Sequence, residues 1–304
     1  MPIYRFGHII KGRREALGLT QEDQAEGICS VPTLSRIENG ERMPSKENYE
    51  MLLQRLGYSD TILYEFVDEK TMLLHDLKFR IRHAIMTKNL GEARRLLAEY
   101  EVNSDSNSRT DRQFIVLYSV ITNPGVRQSQ EEIQLLEEAL KLTCPHYREN
   151  SLPKLLSYEE IILLNGIANR FMRMQEYDRA IAIFFHLKSY YEKSMFSMEE
   201  VLRTQLMVLY NLSKCLGLAG RYTECIEICN LGIRIARETG RCMYLSQILY
   251  NCAWSLVKRG EPGDREQAEV LAKQALYMAR AIENHSAVQF AENFIRNNFP
   301  ELHY

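Results

Sequence analysis

The sequence predicts an all-α protein, and three observations support this. Apolar residues recur at helical spacing through almost the whole chain. The pattern breaks at Gly, Asn, Pro or polar pairs, which leaves amphipathic stretches of about 12–20 residues, a typical helix length. Prolines (8) and glycines (15) are few. Because 304 residues exceed the usual size of one domain, we expect two domains or one long array of helices.

Composition excludes several classes of protein. The hydrophobic content of 45% and the charged content of 26% are those of an ordinary soluble globular protein. The longest apolar runs, such as IAIFF, are far too short to span a bilayer. The N-terminal stretch MPIYRFGHIIKGRREAL has charges spaced through it and does not resemble a signal peptide. We therefore expect a cytoplasmic protein with no membrane partner.

The seven cysteines are expected to be packing residues. Their number is odd, no CxxC motif occurs, and Cys225 and Cys229 lie one turn apart on a predicted helix. The favoured interpretation is small buried side chains in a reducing compartment. A redox sensor is the main alternative, and a metal site is a minor one.

Three short helices are predicted in the first 40 residues. A helix over residues 4–17 ends at Gly18, where a left-handed glycine is favoured. Thr20, with Asp23 three residues on, predicts a capping box at the start of the second helix. Ser30 predicts the N-cap of a third helix that contains TLSRIE. Two short helices joined by a tight turn, the second with small polar residues and one Arg, are typical of a helix-turn-helix.

The third helix is predicted to enter the major groove of DNA, where its N-terminal residues meet base edges. Val31, Pro32 and the Thr33 methyl group would contact a thymine methyl, and Arg36 would bind a guanine or a phosphate. Polar residues on either side would hold phosphates. The predicted DNA-binding set is Gln21, Ser30, Val31, Pro32, Thr33, Ser35, Arg36, Asn39, Arg42 and Lys46.

Charge alone does not support DNA binding. The net charge is −2, and residues 1–46 hold seven Lys or Arg and six Asp or Glu. A basic face must therefore come from the arrangement of side chains. The alternative for Arg36 is an ion pair inside the domain, with Glu38 or Glu15, of a kind that contributes little to stability.

The stretch LTQEDQAEGICSVPTLSRIENGERMPS resembles the lambda-repressor-like (Cro/C1, XRE-type) helix-turn-helix, which commonly reads LTQxxLAxx…SRIExGxxxPS. The resemblance covers about residues 6–66 and implies a helical DNA-binding domain. Gln24 departs from the pattern, because the family usually has a buried Leu there. Residues 47–66 predict a fourth helix and a short fifth one, so we expect this domain to occupy residues 1–67.

Residues 68–304 are predicted to form a helical-repeat domain. Three segments carry small residues at matching places, where two antiparallel helices would pack closely. These residues are Ala168, Ala180, Ser213, Cys225, Ala253, Ala268 and Ala275. The segments resemble the tetratricopeptide repeat (TPR), about 34 residues per helix pair, in roughly five units over residues 70–283. The resemblance implies a right-handed superhelix, capped by a helix predicted over His285–Phe299.

The first helix of each pair is expected to line a concave groove. Three of these helices carry an Asn at nearly the same place: Asn165, Asn211 and Asn251. The Asn side chain can both donate to and accept from a peptide backbone. Basic side chains could bind a terminal carboxylate, and aromatic ones could form apolar pockets. The alternative is that each Asn bonds to a neighbouring helix and that Trp254 belongs to the core. The predicted peptide-binding set is Asn165, Asn169, Arg173, Tyr210, Asn211, Lys214, Gln247, Tyr250, Asn251, Trp254 and Lys258.

A repressor-like head followed by helical repeats resembles the Rgg/PlcR/PrgX group of regulators in Gram-positive bacteria. The resemblance implies a homodimeric transcription factor whose TPR-like domain binds a short signalling peptide in quorum sensing. Dimerisation also follows from DNA geometry, because two-fold operators are read by two-fold proteins. The predicted partners are therefore double-stranded DNA, a short oligopeptide and a second copy of the chain.

Other functions stay open beside this one. The repeats of a DNA-binding regulator could bind a protein partner, or the chain could be a scaffold that does not bind DNA. Catalytic signatures are missing from the sequence, which has no GxSxG, HExxH or Walker loop and only scattered histidines. We therefore expect no enzyme activity, no cofactor and no metal site.

Overall fold

The computed structural model describes residues 4–56, 69–148, 155–193 and 199–302, in which every regular element is an α-helix. The all-α prediction is confirmed. The chain divides into two compact units, Met1–Arg170 with Glu192–Glu200 and Phe171–Tyr191 with Val201–Tyr304. The predicted domain boundary at residue 67, and the short helix expected before it, lie outside the described residues.

Four helices form the N-terminal head of the first unit: α1 (Tyr4–Ala16), α2 (Gln21–Ala25), α3 (Val31–Glu38) and α4 (Lys46–Arg55). The helix signals that the sequence predicted are present. Gly18 adopts φ +65° after α1, and Thr20 forms a capping box with Asp23 at the start of α2. The Ser30 side chain caps α3. Local sequence therefore fixes where α2 and α3 begin and sets the turn between them.

The head has a core of aliphatic side chains: Ile10, Ala25, Ile28, Leu34, Ile37, Met51, Leu52 and Leu56. Gln24, which stands where the resembled family has a Leu, is also fully buried. Neither atom of its amide has a hydrogen-bond partner among the described residues. A buried amide without partners costs about 1–3 kcal/mol, so we infer that Gln24 destabilises the head.

The repeat region contributes two helix pairs and most of a fifth helix to the first unit: α5 (Glu69–Met86), α6 (Leu90–Asn103), α7 (Arg109–Thr122), α8 (Ser129–Lys141) and α9 (Tyr158–Arg173). The second unit is built mainly from α10 (Tyr177–Lys193), α11 (Glu199–Leu218), α12 (Tyr222–Thr239), α13 (Leu245–Arg259), α14 (Asp264–Ala281) and α15 (His285–Asn298). In the described ranges α5 to α15 follow one another as eleven helices, the number that five two-helix repeats and a terminal helix require. None of these helices is both long and apolar enough to cross a membrane.

The small residues of the repeat pattern are buried. Six of them have no exposed surface: Ala168, Ala180, Ser213, Cys225, Ala253 and Ala268. The prediction that cysteines serve as packing residues is confirmed for five of the seven. It is wrong for Cys242, which is exposed, and Cys29 is only half-buried.

A buried polar network joins the head to the repeats within the first unit. Arg55, at the end of α4, is 2% exposed and donates hydrogen bonds to the carbonyl oxygens of Glu26 and of Thr143, the latter at 3.1 Å. Its guanidinium lies 3.5 Å from a carboxylate oxygen of Glu160 on α9. Glu160 also accepts from the Thr143 hydroxyl (2.7 Å) and the Ser157 N–H (2.6 Å). Burial opposes ionisation of Glu160, but the Arg55 charge and these hydrogen bonds hold its pKa below the ordinary value.

A second contact fixes the other side of the head. Gly27 has φ +70°, and a Cβ atom there would lie 2.3 Å from the Thr143 carbonyl oxygen. The Arg109 side chain donates to the Gly27 carbonyl at 2.9 Å, and the Arg109 backbone N–H donates to Glu47 at 2.6 Å. The head is therefore seated on the segment α7–α9 of its own unit.

Candidate functional site

Most of the predicted DNA-binding residues lie on α3, at its N-cap and in the loop after it, whereas Gln21 begins α2 and Lys46 begins α4. Six of the ten are exposed: Ser30, Pro32, Arg36, Asn39, Arg42 and Lys46. Four are half-buried: Gln21, Val31, Thr33 and Ser35. None is fully buried, so every member of the set presents at least part of its side chain to solvent.

Side chains in the N-terminal turn of α3 also cap the helix and pack against the core. The Ser30 hydroxyl accepts from the Thr33 N–H at 3.3 Å and lies 2.9 Å from the Thr33 hydroxyl. Val31 packs partly against the head core. Pro32 is exposed. The turn is therefore stabilised by its own cap, and Pro32 is its most exposed apolar side chain.

Arg36 projects from α3 without an ion pair to any described residue. The alternative of a pair with Glu38 or Glu15 is wrong, because Arg14 takes both carboxylates. Arg14 binds Glu38 through two hydrogen bonds of 2.6 and 3.0 Å and lies 3.6 Å from Glu15. Because buried Arg14, 8% exposed, neutralises these carboxylates, the Arg36 charge stays on the surface of α3.

The structure gives Gln21 a role that the sequence analysis did not foresee. Its side-chain amide nitrogen donates to Glu38 at 2.7 Å, inside the head. It was predicted to hold a phosphate, and this hydrogen bond takes up one of its two side-chain N–H groups. The cause is the buried Glu38 carboxylate, which requires several donors.

The second unit contains an open cavity of about 320 Å³. Its walls come from α11, α13, α14 and α15, with the lining residues Tyr210, Ser213, Lys214, Gly217, Leu218, Ser246, Gln247, Tyr250, Asn251, Trp254, Ser255, Ala275, Ala287, Phe290 and Ala291. Lys214 is the one charged side chain among them. The cavity therefore combines an apolar, aromatic wall with a single positive charge.

Aromatic contacts behind the cavity hold its walls. Tyr250 meets Phe294 edge to face at 5.5 Å, and Trp254 meets Tyr222 in the same way at 5.8 Å. Burial raises the pKa of Tyr250. The Tyr250 hydroxyl therefore stays protonated at neutral pH and can donate a hydrogen bond. The Lys258 ammonium lies 5.8 Å from the Trp254 ring, outside the lining.

The polar floor of the cavity is already satisfied by its own hydrogen bonds. The Asn251 amide donates to the Ser213 hydroxyl at 2.9 Å and to the Tyr210 carbonyl at 3.3 Å. The Ser255 hydroxyl donates to the Cys225 sulfur at 3.0 Å. These two hydrogen bonds fix the side-chain amide of Asn251 and with it the position of its Oδ1 atom.

Six of the eleven predicted peptide-binding residues line this cavity: Tyr210, Lys214, Gln247, Tyr250, Asn251 and Trp254. Asn165 and Asn169 belong to the first unit, the former 7% exposed and the latter half-buried. Asn211 is 8% exposed and does not line the cavity. Arg173 and Lys258 are exposed outside it.

The recurring Asn positions do not behave as one set. Only Asn251 reaches the cavity, and its amide nitrogen bonds to α11, which is the alternative stated for these residues. Small residues at close helix contacts bring the neighbouring α11 backbone within reach of the Asn251 amide. In the peptide-free structure the Asn251 amide nitrogen therefore donates to α11, and the assignment of Asn251 to peptide binding stays a prediction.

Sequence analysis missed the contribution of the terminal helix. Ala287, Phe290 and Ala291 of α15 form one wall, although α15 was expected only to cap the repeats. Two other missed residues could have been predicted from helical spacing. Gly217 lies three residues after Lys214 on α11, and Ser255 lies four residues after Asn251 on α13. A Cβ atom at Gly217 would lie 3.1 Å from the Trp254 ring, so the glycine lets the indole lie close to α11.

The buried cysteines of the second unit form part of its interior. The Cys225 and Cys229 sulfurs are 4.0 Å apart, and the Cys225 thiol donates to the Ser213 carbonyl at 3.0 Å. Within the described ranges, His, Cys, Asp and Glu side chains form no group that could hold a metal ion. These thiols therefore support packing beneath the cavity.

Comparison with known proteins confirms the fold. Residues 10–63 match the helix-turn-helix family. Bacillus thuringiensis PlcR, solved in complex with the peptide PapR7 and DNA, is 21% identical with a TM-score of 0.60, covering 95% of this chain and 99% of that chain. Its apo form is 19% identical with a TM-score of 0.60 over 95% and 98%. Apo ComR from Streptococcus vestibularis is 15% identical with a TM-score of 0.57 over 98% and 99%.

The likeness to PlcR and ComR extends over nearly the whole chain. A comparison with curated proteins gives no match by sequence. At these identities the likeness establishes an all-helical fold that combines a helix-turn-helix with helical repeats. This is the architecture that the resemblance to the Rgg/PlcR/PrgX group implied.

Proposed function

We propose that this protein is a cytoplasmic transcriptional regulator without enzyme activity, whose repeat region binds a short peptide that changes its DNA binding. The observation that carries the proposal is the pairing of two sites in one chain. One is the exposed face of a helix-turn-helix, and the other is an aromatic cavity in the helical repeats. The fold shared with PlcR, which was solved with a peptide and DNA, supports it.

In this proposal α3 lies in the major groove, and the loop after it follows the phosphate backbone. Pro32 and the Thr33 methyl group contact thymine methyls, and Arg36 binds a guanine edge or a phosphate. Arg42 and Lys46, both exposed after α3, bind phosphates and add no sequence preference. Specific binding thus depends on α3, and salt-dependent affinity depends on the loop.

The cavity suits an apolar side chain next to a carboxylate. Trp254, Tyr250 and Phe290 would enclose the apolar side chain, and Lys214 would bind the carboxylate. The side-chain Oδ1 of Asn251 would accept a hydrogen bond from a backbone N–H of the peptide. The proposed ligand is therefore a short peptide with a large apolar side chain near its free C-terminus.

Two-fold operators require two heads, so the proposed regulator acts as a homodimer. The peptide would favour one arrangement of the dimer over another with a different affinity for DNA. Such coupling between two sites is typically about 1–3 kcal/mol, which changes affinity about 5- to 150-fold.

The test is fluorescence anisotropy of the purified protein on DNA from upstream of its own coding sequence. Pools of short synthetic peptides with free C-termini serve as the probe, and the same pools with amidated C-termini serve as the control. We expect at least one free-acid pool to change the DNA affinity and its amidated form to do so less. Tight, specific DNA binding that no pool alters would favour a protein partner instead. Absence of specific DNA binding would favour a scaffold.

A further inference from the structure

The helix α5 has an exposed apolar stripe that the proposed function does not use. Met72, Phe79 and Met86 are 57%, 64% and 55% exposed, and they lie seven residues apart. The opposite side of α5 carries Leu77 and Ile81, which have no exposed surface and pack inside the first unit. A surface helix needs one apolar side for its core, so the second stripe has another cause.

Seven-residue spacing of apolar side chains is the pattern by which one helix packs along another. The exposed stripe also includes Asp76 and His83, which alternate with Met72, Phe79 and Met86 in steps of three and four residues. Phe79 and His83 stack with their ring centres 6.4 Å apart. The stripe therefore has the form of a helix-pairing seam, with apolar residues separated by two charged or polar ones.

We propose that this stripe is a dimer surface, where α5 packs antiparallel against α5 of a second copy of the chain. The sequence of the stripe is symmetric about Phe79, because Met72 and Met86 lie seven residues to either side. A two-fold axis near Phe79 places each Met72 opposite Met86 of the other copy, as a self-complementary interface requires.

Charge selects the antiparallel arrangement. The antiparallel arrangement places each Asp76 close to His83 of the other copy, whereas a parallel arrangement would place Asp76 opposite Asp76. Arg80, which pairs with Asp76 along α5 at 3.3 Å, adds a positive charge beside the same contact. Like charges directly opposed at an interface are unfavourable, and the antiparallel register gives Asp76 a ring N–H donor from His83 in place of a second carboxylate.

The seam is modest in size. The 18 residues of α5 extend about 27 Å at 1.5 Å per residue. A single pair of helices of this length buries less surface than the roughly 1,200–2,000 Å² of a stable interface. We therefore expect a reversible dimer whose population depends on protein concentration. The inference extends the dimer of the proposed function, but it is tested without DNA or peptide, so the two can fail separately.

The experiment is sedimentation velocity of the full chain over a series of concentrations. The wild type should shift from the chain mass of 35.5 kDa to twice that mass as its concentration rises. Phe79→Glu places two charges at the two-fold axis and should raise the dissociation constant about 100-fold or more. The control is Val102→Glu, because Val102 is an 85% exposed apolar residue on α6, and it should leave the dimer unchanged. Circular dichroism confirms that both variants stay folded.

Charge exchange tests the antiparallel register. Asp76→Lys alone and His83→Glu alone should each weaken the dimer, and the double variant should restore it. A wild type that is monomeric at every concentration overturns the proposal. So does a Phe79→Glu variant that dimerises like the wild type, or a double variant no better than the two single ones.

Discussion

The DNA-reading face of the head and the cavity of the second unit are built in opposite ways. The face comes from one continuous segment, α3 and the loop after it, and its outer residues have few partners. The cavity draws on four helices between Tyr210 and Ala291, and its polar floor is internally bonded. A short motif can therefore specify the face, whereas the cavity depends on how distant helices pack.

The largest expected effect is on stability, and it distinguishes the buried Arg55 of the head from the exposed Arg36. Arg55→Ala should lower the free energy of unfolding by about 3–5 kcal/mol, because it leaves the buried Glu160 carboxylate without its counter-charge. Urea denaturation measures this. Arg36→Ala, on the exposed face, is the control and should leave stability within about 0.5 kcal/mol. Equal stability of the two variants would show that the junction between head and repeats contributes nothing.

The next prediction concerns the cavity wall. Trp254→Ala should weaken binding of an active peptide by about 2 kcal/mol or more, roughly 30-fold, because aromatic anchors dominate such sites. DNA affinity without peptide should not change. Tyr277→Ala is the matched control, since Tyr277 is 52% exposed on α14 and lies outside the lining. Isothermal titration calorimetry measures both, and equal losses for the two variants would argue against the cavity.

Arg36→Ala tests the DNA-reading face in the converse way. We expect specific DNA binding to weaken by about 1–3 kcal/mol for each head, with peptide affinity retained. Anisotropy titrations on specific and unrelated duplexes measure the effect. Arg94→Ala changes an exposed arginine on α6 and serves as the control. A normal footprint for the Arg36 variant would remove α3 from the proposed contact.

Gln24→Leu tests the cost of a buried amide that has no hydrogen-bond partner, in contrast to the bonded Asn251 amide of the cavity. Replacement of the unpartnered amide by an apolar group of similar size should stabilise the head by about 1–3 kcal/mol. Thermal and urea unfolding measure the gain, and DNA affinity should stay unchanged. A loss of stability would mean that the Gln24 amide has a partner in solution.

The smallest effect is expected at the rim of the cavity. Lys214 is exposed, so its pair with a peptide carboxylate should be worth no more than about 1 kcal/mol, roughly fivefold in affinity. Lys214→Gln should reduce the affinity for a free-acid peptide and leave that for the amidated peptide unchanged. An equal loss for both forms would assign Lys214 a role other than carboxylate binding.

The features predicted correctly from the sequence are those that depend on residues close together in the chain. Thr20 and Ser30 marked helix starts because a cap acts on the next three residues, and small residues such as Cys225 marked close helix contacts. The Asn positions misled because their partners lie on neighbouring helices, as the bond from Asn251 to the Tyr210 carbonyl shows. Phe290 was missed because no local pattern distinguishes a capping helix from a cavity wall.

The most direct test of the proposed function is reciprocity between its two sites. Peptide affinity is measured by calorimetry with and without a saturating operator duplex, and DNA affinity is measured with and without saturating peptide. Linkage requires the two ratios to be equal. The account predicts a ratio that differs from one, with the same value in both experiments. In Trp254→Ala the ratio should return to one. A peptide affinity that is identical with and without DNA would contradict a regulator controlled through this cavity.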